Sequence, residues 1–255
     1  MAEILSRSVN QRIGRALHAY RMLSDGDRVL MAVSGGIDSL VTAWLLDFWQ
    51  QKAPIRYELQ LVHIDTGAAV NGSSSRFTAI QRQLERFHLE LHRQEAAGRP
   101  GHAPLRENGS GSGPVKDACF LCARQRRNQL FALARERGCA KIAFGHHKDD
   151  IIETFFLNLL YSGNISTMLP RQDLFGGKLA LIRPLAFLEK HEVVEIGNRL
   201  GLKPVASDCP LDGTTRRTTI RRLLTILYRY MPETKASIFA ALANVRLDYL
   251  PDETA

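Results

Sequence analysis

The chain of 255 residues contains no run of about 18 apolar residues, which excludes a helix able to cross a bilayer. Its N-terminal stretch, MAEILSRSVNQRIGRAL, lacks the apolar centre of a secretory signal and reads instead as a short basic helix. Cysteine is scarce, with four in all. Without a secretory signal, so few thiols point to the cytoplasm, where paired cysteines hold metal more often than they form disulfides. Acidic residues are in the minority: 26 Asp and Glu face 34 Lys and Arg, leaving a net charge of +8 that suits a polyanionic partner. No internal repeat is visible. The one low-complexity segment, GRPGHAPLRENGSGSGP (98–114), reads as a flexible loop. An apolar content of 45% supports a sizeable core, hence one large domain with at most a small appendage.

Within MAVSGGIDSLVTAW (31–44) lies the hexapeptide Ser34-Gly35-Gly36-Ile37-Asp38-Ser39. Val29, Leu30, Met31 and Val33 before it read as a buried strand; Leu40, Val41, Trp44, Leu45 and Phe48 behind it recur at helical spacing. The six residues are therefore a strand-to-helix turn, where backbone N–H groups and the positive helix end converge on an anion. Two familiar phosphate loops are excluded. The Walker loop needs a Gly-Lys-Ser/Thr ending, and the dinucleotide fingerprint needs a third glycine. SGGIDS instead resembles the PP-loop of the N-type ATP pyrophosphatases, in which the β- and γ-phosphates are held as a leaving unit.

Strands alternate with helices along the rest of the chain. Strands are expected at 57–67, 88–94, 140–147 and 179–187, helices at about 119–137, 149–163 and 189–201, a further extended KPVAS segment before Cys209, and two closing helices at about 214–231 and 233–247. The fold class this implies is α/β, a doubly wound parallel sheet with a C-terminal helical extension. Three regions are expected: a basic helical arm over 1–27, an ATP pyrophosphatase domain over 28–208, and a helical extension over 209–255. Ligands bind such sheets at the carboxyl ends of the strands. SGGIDS, Asp65, the start of the Cys119–Cys122 helix and His146-His147-Lys148-Asp149-Asp150 all fall at that edge. KPVAS, taken as a strand, brings Cys209 there too, whereas Cys139 precedes its strand and falls at the opposite edge.

Three converging cysteines are one short of a closed structural zinc site, and they suit an iron–sulfur cluster with one iron left open. A three-cysteine catalytic zinc stays open on ligand count. Arg124, Arg126 and Arg127 follow directly and make that helix end electropositive. Cys139 reads as a small buried hydrophobe.

CFLCARQRRNQL, IAFGHHKDDIIETFFLNLLYSG and IRPLAF, together with SGGIDS, resemble the tRNA 2-thiocytidine synthetase family, which belongs to the cluster-dependent tRNA thiolases. The resemblance runs from about Asn10 to Leu250. It implies a cytoplasmic homodimer that binds ATP, Mg²⁺ and tRNA, and carries a 4Fe–4S cluster on Cys119, Cys122 and Cys209. It also implies adenylation of an anticodon-loop cytidine and replacement of its oxygen by sulfur from a cysteine desulfurase or free sulfide. Two departures stand out. Ile37 occupies a position where the family often has lysine, and the Cys-Pro context of Cys209 is similar to that of the 2-thiouridine branch.

Adenylation supplies the leaving group that sulfur-for-oxygen exchange requires. In this reading Ser34, Gly35, Gly36 and Ser39 hold the pyrophosphate, and Asp38 organises Mg²⁺. A carboxylate meeting the helix dipole is the competing reading of Asp38. Asp150 or Asp149 binds magnesium or assists proton transfer. His146 and His147 contact phosphate, unless the His-His-x-Asp-Asp run is a separate metal site. Arg183 meets the adenylate phosphate or forms a structural ion pair, and Asp65 belongs to the nucleotide edge. Arg217 and Arg221 share a helix face, as do Arg222 and Arg229, and with Arg124, Arg126 and Arg127 they are expected to form a rim for RNA phosphate. Competing functions are a 2-thiouridine-forming thiolase, a cluster-free lysidine-type ligase, and a non-enzymatic iron–sulfur RNA-binding protein.

Overall fold

Along the first strand, β1 (Asp27–Ala32), side chains alternate between two cores: Val29 and Met31 enter one, Leu30 the other. A sheet covered on both faces requires that period-two division. The computed structural model describes residues 4–65, 75–97, 118–206 and 215–250, with residues 118–120 by backbone alone. The expected loop 98–114 lies outside them.

The chain divides into two compact units. The larger, residues 1–147 and 169–212, contains α1 (Arg7–Ala19), β1, α2 (Ile37–Gln50), β2 (Tyr57–Asp65), α3 (Ser75–Glu85), β3 (Leu91–Glu95), α4 (Ala118–Glu136), β4 (Lys141–Ala143), β5 (Arg171–Leu174), β6 (Leu179–Ile182) and α6 (Lys190–Arg199). Its sheet has the order β3-β2-β1-β4-β6-β5. All pairings are parallel except β5 with β6. The chain thus winds outward from β1 in both directions, which puts the topological switch between β1 and β4.

One core joins α1, α2, α3 and α6 to the sheet, with Ile13, Leu40, Leu45, Ile80, Leu84 and Val193 fully buried. Each such side chain contributes about 1.5–3 kcal/mol. The buried face of α1 (Val9, Ile13, Ala16, Leu17) is part of this core. The second core joins α4 to the other face through Leu130, Leu133 and Ala134 against Leu30, Val62 and Ile142.

Two details differ from expectation. The described part of KPVAS, residues 203–206, is not a sheet strand; Val205 N donates instead to Gly35 O at 2.9 Å, so it passes over the turn rather than extending the ladder. Conversely, β5 was not expected. Its burial is only partial, as befits a short edge strand, so RQDL carries no apolar alternation to read.

The smaller unit comprises residues 148–168 and 213–255. Its elements are α5 (Lys148–Ser162), α7 (Arg216–Tyr230), α8 (Thr234–Ala241) and a single 3-10 turn at Leu247–Tyr249. Ile152, Ile220 and Leu224 form its buried centre, flanked by Phe156, Leu227, Ile238 and Phe239.

Candidate nucleotide site and its surroundings

The turn after β1 is stitched to the helix it opens. Ser39 Oγ accepts from Ser34 N at 3.1 Å, stands 3.2 Å from Ser34 Oγ, and donates to Gly36 O at 2.8 Å. Gly35 has φ +86°, and a Cβ there would lie 2.7 Å from Ile80 Cδ1. Only glycine fits, on conformation and on space. Gly36 caps α2 without any side-chain acceptor, and although Ser39 N turns back to Gly36 O at 3.0 Å, no side chain caps the start of the helix where an anion would bind.

Asp38 sits in that first turn. Lys190 Nζ, from the first residue of α6, donates to both of its carboxylate oxygens at 2.6 and 2.7 Å. His147 Nε2 stands 3.9 Å from one of them. Backbone packing explains why these groups meet. A Cβ on Gly145 would lie 2.7 Å from the carbonyl carbon of Asp38, so only glycine lets the β4 exit press on the start of α2. A Cβ on Gly197 would meet Ile37 Cδ1 at 2.4 Å, so glycine there leaves room for the Ile37 side chain where α6 packs on α2. Ile37 is therefore a packing residue, buried against α6.

At the ends of neighbouring strands, buried Asp65 pairs with Arg93 at 2.8 Å. His63 is buried, with Nδ1 2.7 Å from Val33 O. A carbonyl only accepts, so Nδ1 carries the proton and Nε2 presents a lone pair, which finds no partner among the described residues. Burial pushes the His63 pKa down, nearby Arg76 adds to this, and the Val33 bond opposes it. Arg76 Nη2 donates to Ser34 O at 2.7 Å. Arg183 is buried; its Nε donates to His146 Nδ1 at 3.3 Å, and Nη1 donates to Leu169 O. Both residues thus lie at the carboxyl edge, bonded to each other.

Of the cysteines, Cys119 and Cys122 open α4, and Cys122 is a half-buried free thiol. Parallel β4 follows α4, so the N-terminus of this helix points to the carboxyl edge. Cys139 is buried in the second core, beyond the far end of α4. Cys209 lies outside the described residues. Among the described residues no group of three or more His, Cys, Asp or Glu is arranged to hold a metal.

The remaining acids belong to the smaller unit. Asp149 pairs with Lys235 at 2.8 Å, and Asp150 lies 3.6 Å from Arg217. Glu153, 4% exposed, accepts from Arg221 Nε at 2.7 Å and Arg217 Nη1 at 3.3 Å. The face shared by Arg217 and Arg221 is thus turned onto the acids of α5, and their charges are engaged there. Arg124, Arg126 and Arg127 are exposed on α4.

Sequence reasoning missed Lys190, Gly145, His63, Arg76 and Glu153. A signal for Lys190 existed: crossover helices begin at the ligand edge, and Lys190 is the first residue of one. Glu153 had none, because its burial depends on a helix more than sixty positions later.

A family model described as a PP-loop domain matches residues 5–227. The chain is 34% identical over 248 residues to a tRNA-cytidine(32) 2-sulfurtransferase of Geobacter sulfurreducens, covering 96% of this chain and 93% of the relative. It is 33% identical over 247 residues to the protein of that name in Citrifermentans bemidjiense, with coverage of 96% and 93%. Among solved structures, the fold matches the U34-tRNA thiolase NcsA of Methanococcus maripaludis, determined with its 4Fe–4S cluster. That match has a TM-score of 0.69 at 22% identity, over 95% of this chain and 80% of that one.

Proposed function

We propose, for a chain that belongs to the PP-loop family and aligns over nearly its whole length with tRNA 2-sulfurtransferases, that it is an ATP-dependent tRNA sulfurtransferase. Its substrate in this reading is an anticodon-loop cytidine, converted to 2-thiocytidine. The observation that carries the proposal is the turn Ser34–Ser39. It is closed on itself by two serines, capped by a glycine without a side-chain acceptor, and lacks a Walker lysine. Such a turn grips an outer pyrophosphate and leaves the α-phosphorus open to attack by the base oxygen. Asp38 organises Mg²⁺, Asp65, His146, Asp149 and Arg183 serve the nucleotide edge, and Asp150 assists proton transfer.

The thiols suit a cluster in chemistry and spacing. Cys119 and Cys122 are one helical turn apart, and the half-buried thiol of Cys122 is sheltered yet reachable. Val205, bonded to the PP-loop, precedes Cys209 by four residues, a chain reach of at most ~14 Å. A 4Fe–4S cluster bound by these three cysteines would bind the incoming sulfide that is transferred to the base. The exposed Arg124, Arg126 and Arg127 meet tRNA phosphates. Family resemblance extends the reading to a cytoplasmic homodimer supplied by a cysteine desulfurase or free sulfide.

The test is product analysis on anaerobically purified protein with ATP and tRNA. AMP, pyrophosphate and 2-thiocytidine are expected. ADP and orthophosphate as primary products would overturn the ATP chemistry, and 2-thiouridine would overturn the choice of base.

A further inference from the structure

The carboxylate of Asp38 is already engaged. Lys190 donates to both oxygens, and His147 stands close behind. Lys190 is held in position by the rest of α6. That helix lies against α2 where Gly197 faces Ile37, and its Glu192 is bound by Arg12 of α1. A reciprocal capping box between Glu189 and Glu192 sets where the helix starts. A cation in the first turn opposes the helix dipole, so the stability of α6 gives no reason for a lysine there. Asp38 does. Yet the lysine side chain is 44% exposed, and its four-carbon stem can turn without disturbing the helix.

An ammonium bonded to both carboxylate oxygens occupies the face that a divalent cation would use. We propose that Lys190 is the mobile phosphate-contacting cation of this loop. In the arrangement seen here Asp38 stores the ammonium. Magnesium arriving with ATP displaces it, and the ammonium then bonds the β- and γ-phosphates and the pyrophosphate that departs. The proposal rests on the PP-loop reading given above. It supplies from a separate helix the positive charge that a Walker lysine supplies from within its own loop, and that SGGIDS lacks. Only hydrogen bonds are exchanged, so no proton or electron needs a further carrier.

Binding of inorganic pyrophosphate, measured by titration calorimetry over a series of Mg²⁺ concentrations, tests this without any turnover. At saturating Mg²⁺, Lys190→Met is expected to weaken binding about 10- to 100-fold, the worth of a charge-assisted hydrogen bond. The Mg²⁺ concentration giving half-maximal binding should fall at the same time, because the competitor for Asp38 is gone. Lys190→Arg should keep most of the affinity. Lys190→Gln, checked for folding by circular dichroism, repeats the test if the Met variant is unstable. A neutral variant with unchanged affinity, or with an unmoved Mg²⁺ midpoint, overturns the proposal. Wild-type protein that binds no pyrophosphate overturns the PP-loop reading beneath it, which separates the two failures.

Discussion

Replacing Gly145 by alanine is a severe test of how the nucleotide site is assembled. The added Cβ would stand 2.7 Å from the Asp38 carbonyl carbon, 2.8 Å from its oxygen and 2.9 Å from Ser39 N. Ordinary contact begins near 3.4 Å, so the β4 exit and the start of α2 must separate by about 0.7 Å. All three neighbours are backbone atoms, and no rotamer change can relieve the clash. Overpacking of this kind costs about 1–3 kcal/mol. For a protein of this size that lowers Tm by roughly 3–10 °C. The functional cost is larger, because Asp38 and the turn it follows are displaced together. A misplacement approaching 1 Å costs on the order of 100-fold in rate. Calorimetry and a tRNA-dependent ATP–pyrophosphate exchange assay measure the two effects separately. The control is Gly36→Ala, judged on Tm alone: among the described residues its Cβ would meet only Ser34 Oγ at 3.6 Å, so Tm should hardly move. If Gly145→Ala keeps Tm within a degree and exchange within twofold of wild type, the packing argument is wrong.

Iron per chain should divide the cysteines three to one. Ser in place of Cys119, Cys122 or Cys209 should lose the four-iron cluster, whereas Cys139→Ser, in the core beneath the sheet, should keep it; iron loss from a folded Cys139→Ser refutes the assignment. His63 makes stability depend on pH. Its folded pKa lies below the ordinary 6.5, so the stability it contributes is complete above that value and is lost as pH falls toward the folded pKa. Tm should therefore decline below about pH 6.5 in wild type and less steeply in His63→Asn; identical slopes would remove His63 from the account. Changing Arg217 and Arg221 together to Glu sets like charges against buried Glu153 and should cost about 3 kcal/mol, at the lower end for a broken buried pair because both arginines are partly exposed. Gln at Arg124, Arg126 and Arg127 should instead leave Tm unchanged, weaken tRNA binding and flatten its salt dependence by ~0.7 per lost phosphate contact. An unmoved Tm in the double Glu variant refutes the clamp.

What could be read from the sequence was whatever local periodicity and covalent order control. Val29 to Val33 followed by SGGIDS and the Leu40–Trp44 stripe specify strand, anion turn and helix within sixteen residues, because each is decided by neighbours in the chain. Alternation of strands and helices then places the turn, Asp65 and the start of α4 at one edge, and Cys139 away from it. KPVAS misled for the same reason. Its composition suits a strand, but the partner of Val205 is Gly35, which only the folded chain supplies.

Tertiary structure alone decided the pairing of charges. Arg217 and Arg221 sit four apart on one helix face, and the sequence marks that face as basic; that it meets Glu153 depends on α5, far away in the chain. Lys190 is 152 positions from Asp38. The two meet because Gly145 lets the β4 exit press on the backbone of α2, and Gly197 leaves room on α6 for the Ile37 side chain. Ion pairs leave no periodicity in a sequence. Their partners are chosen by which helices pack together, and that choice belongs to the whole fold.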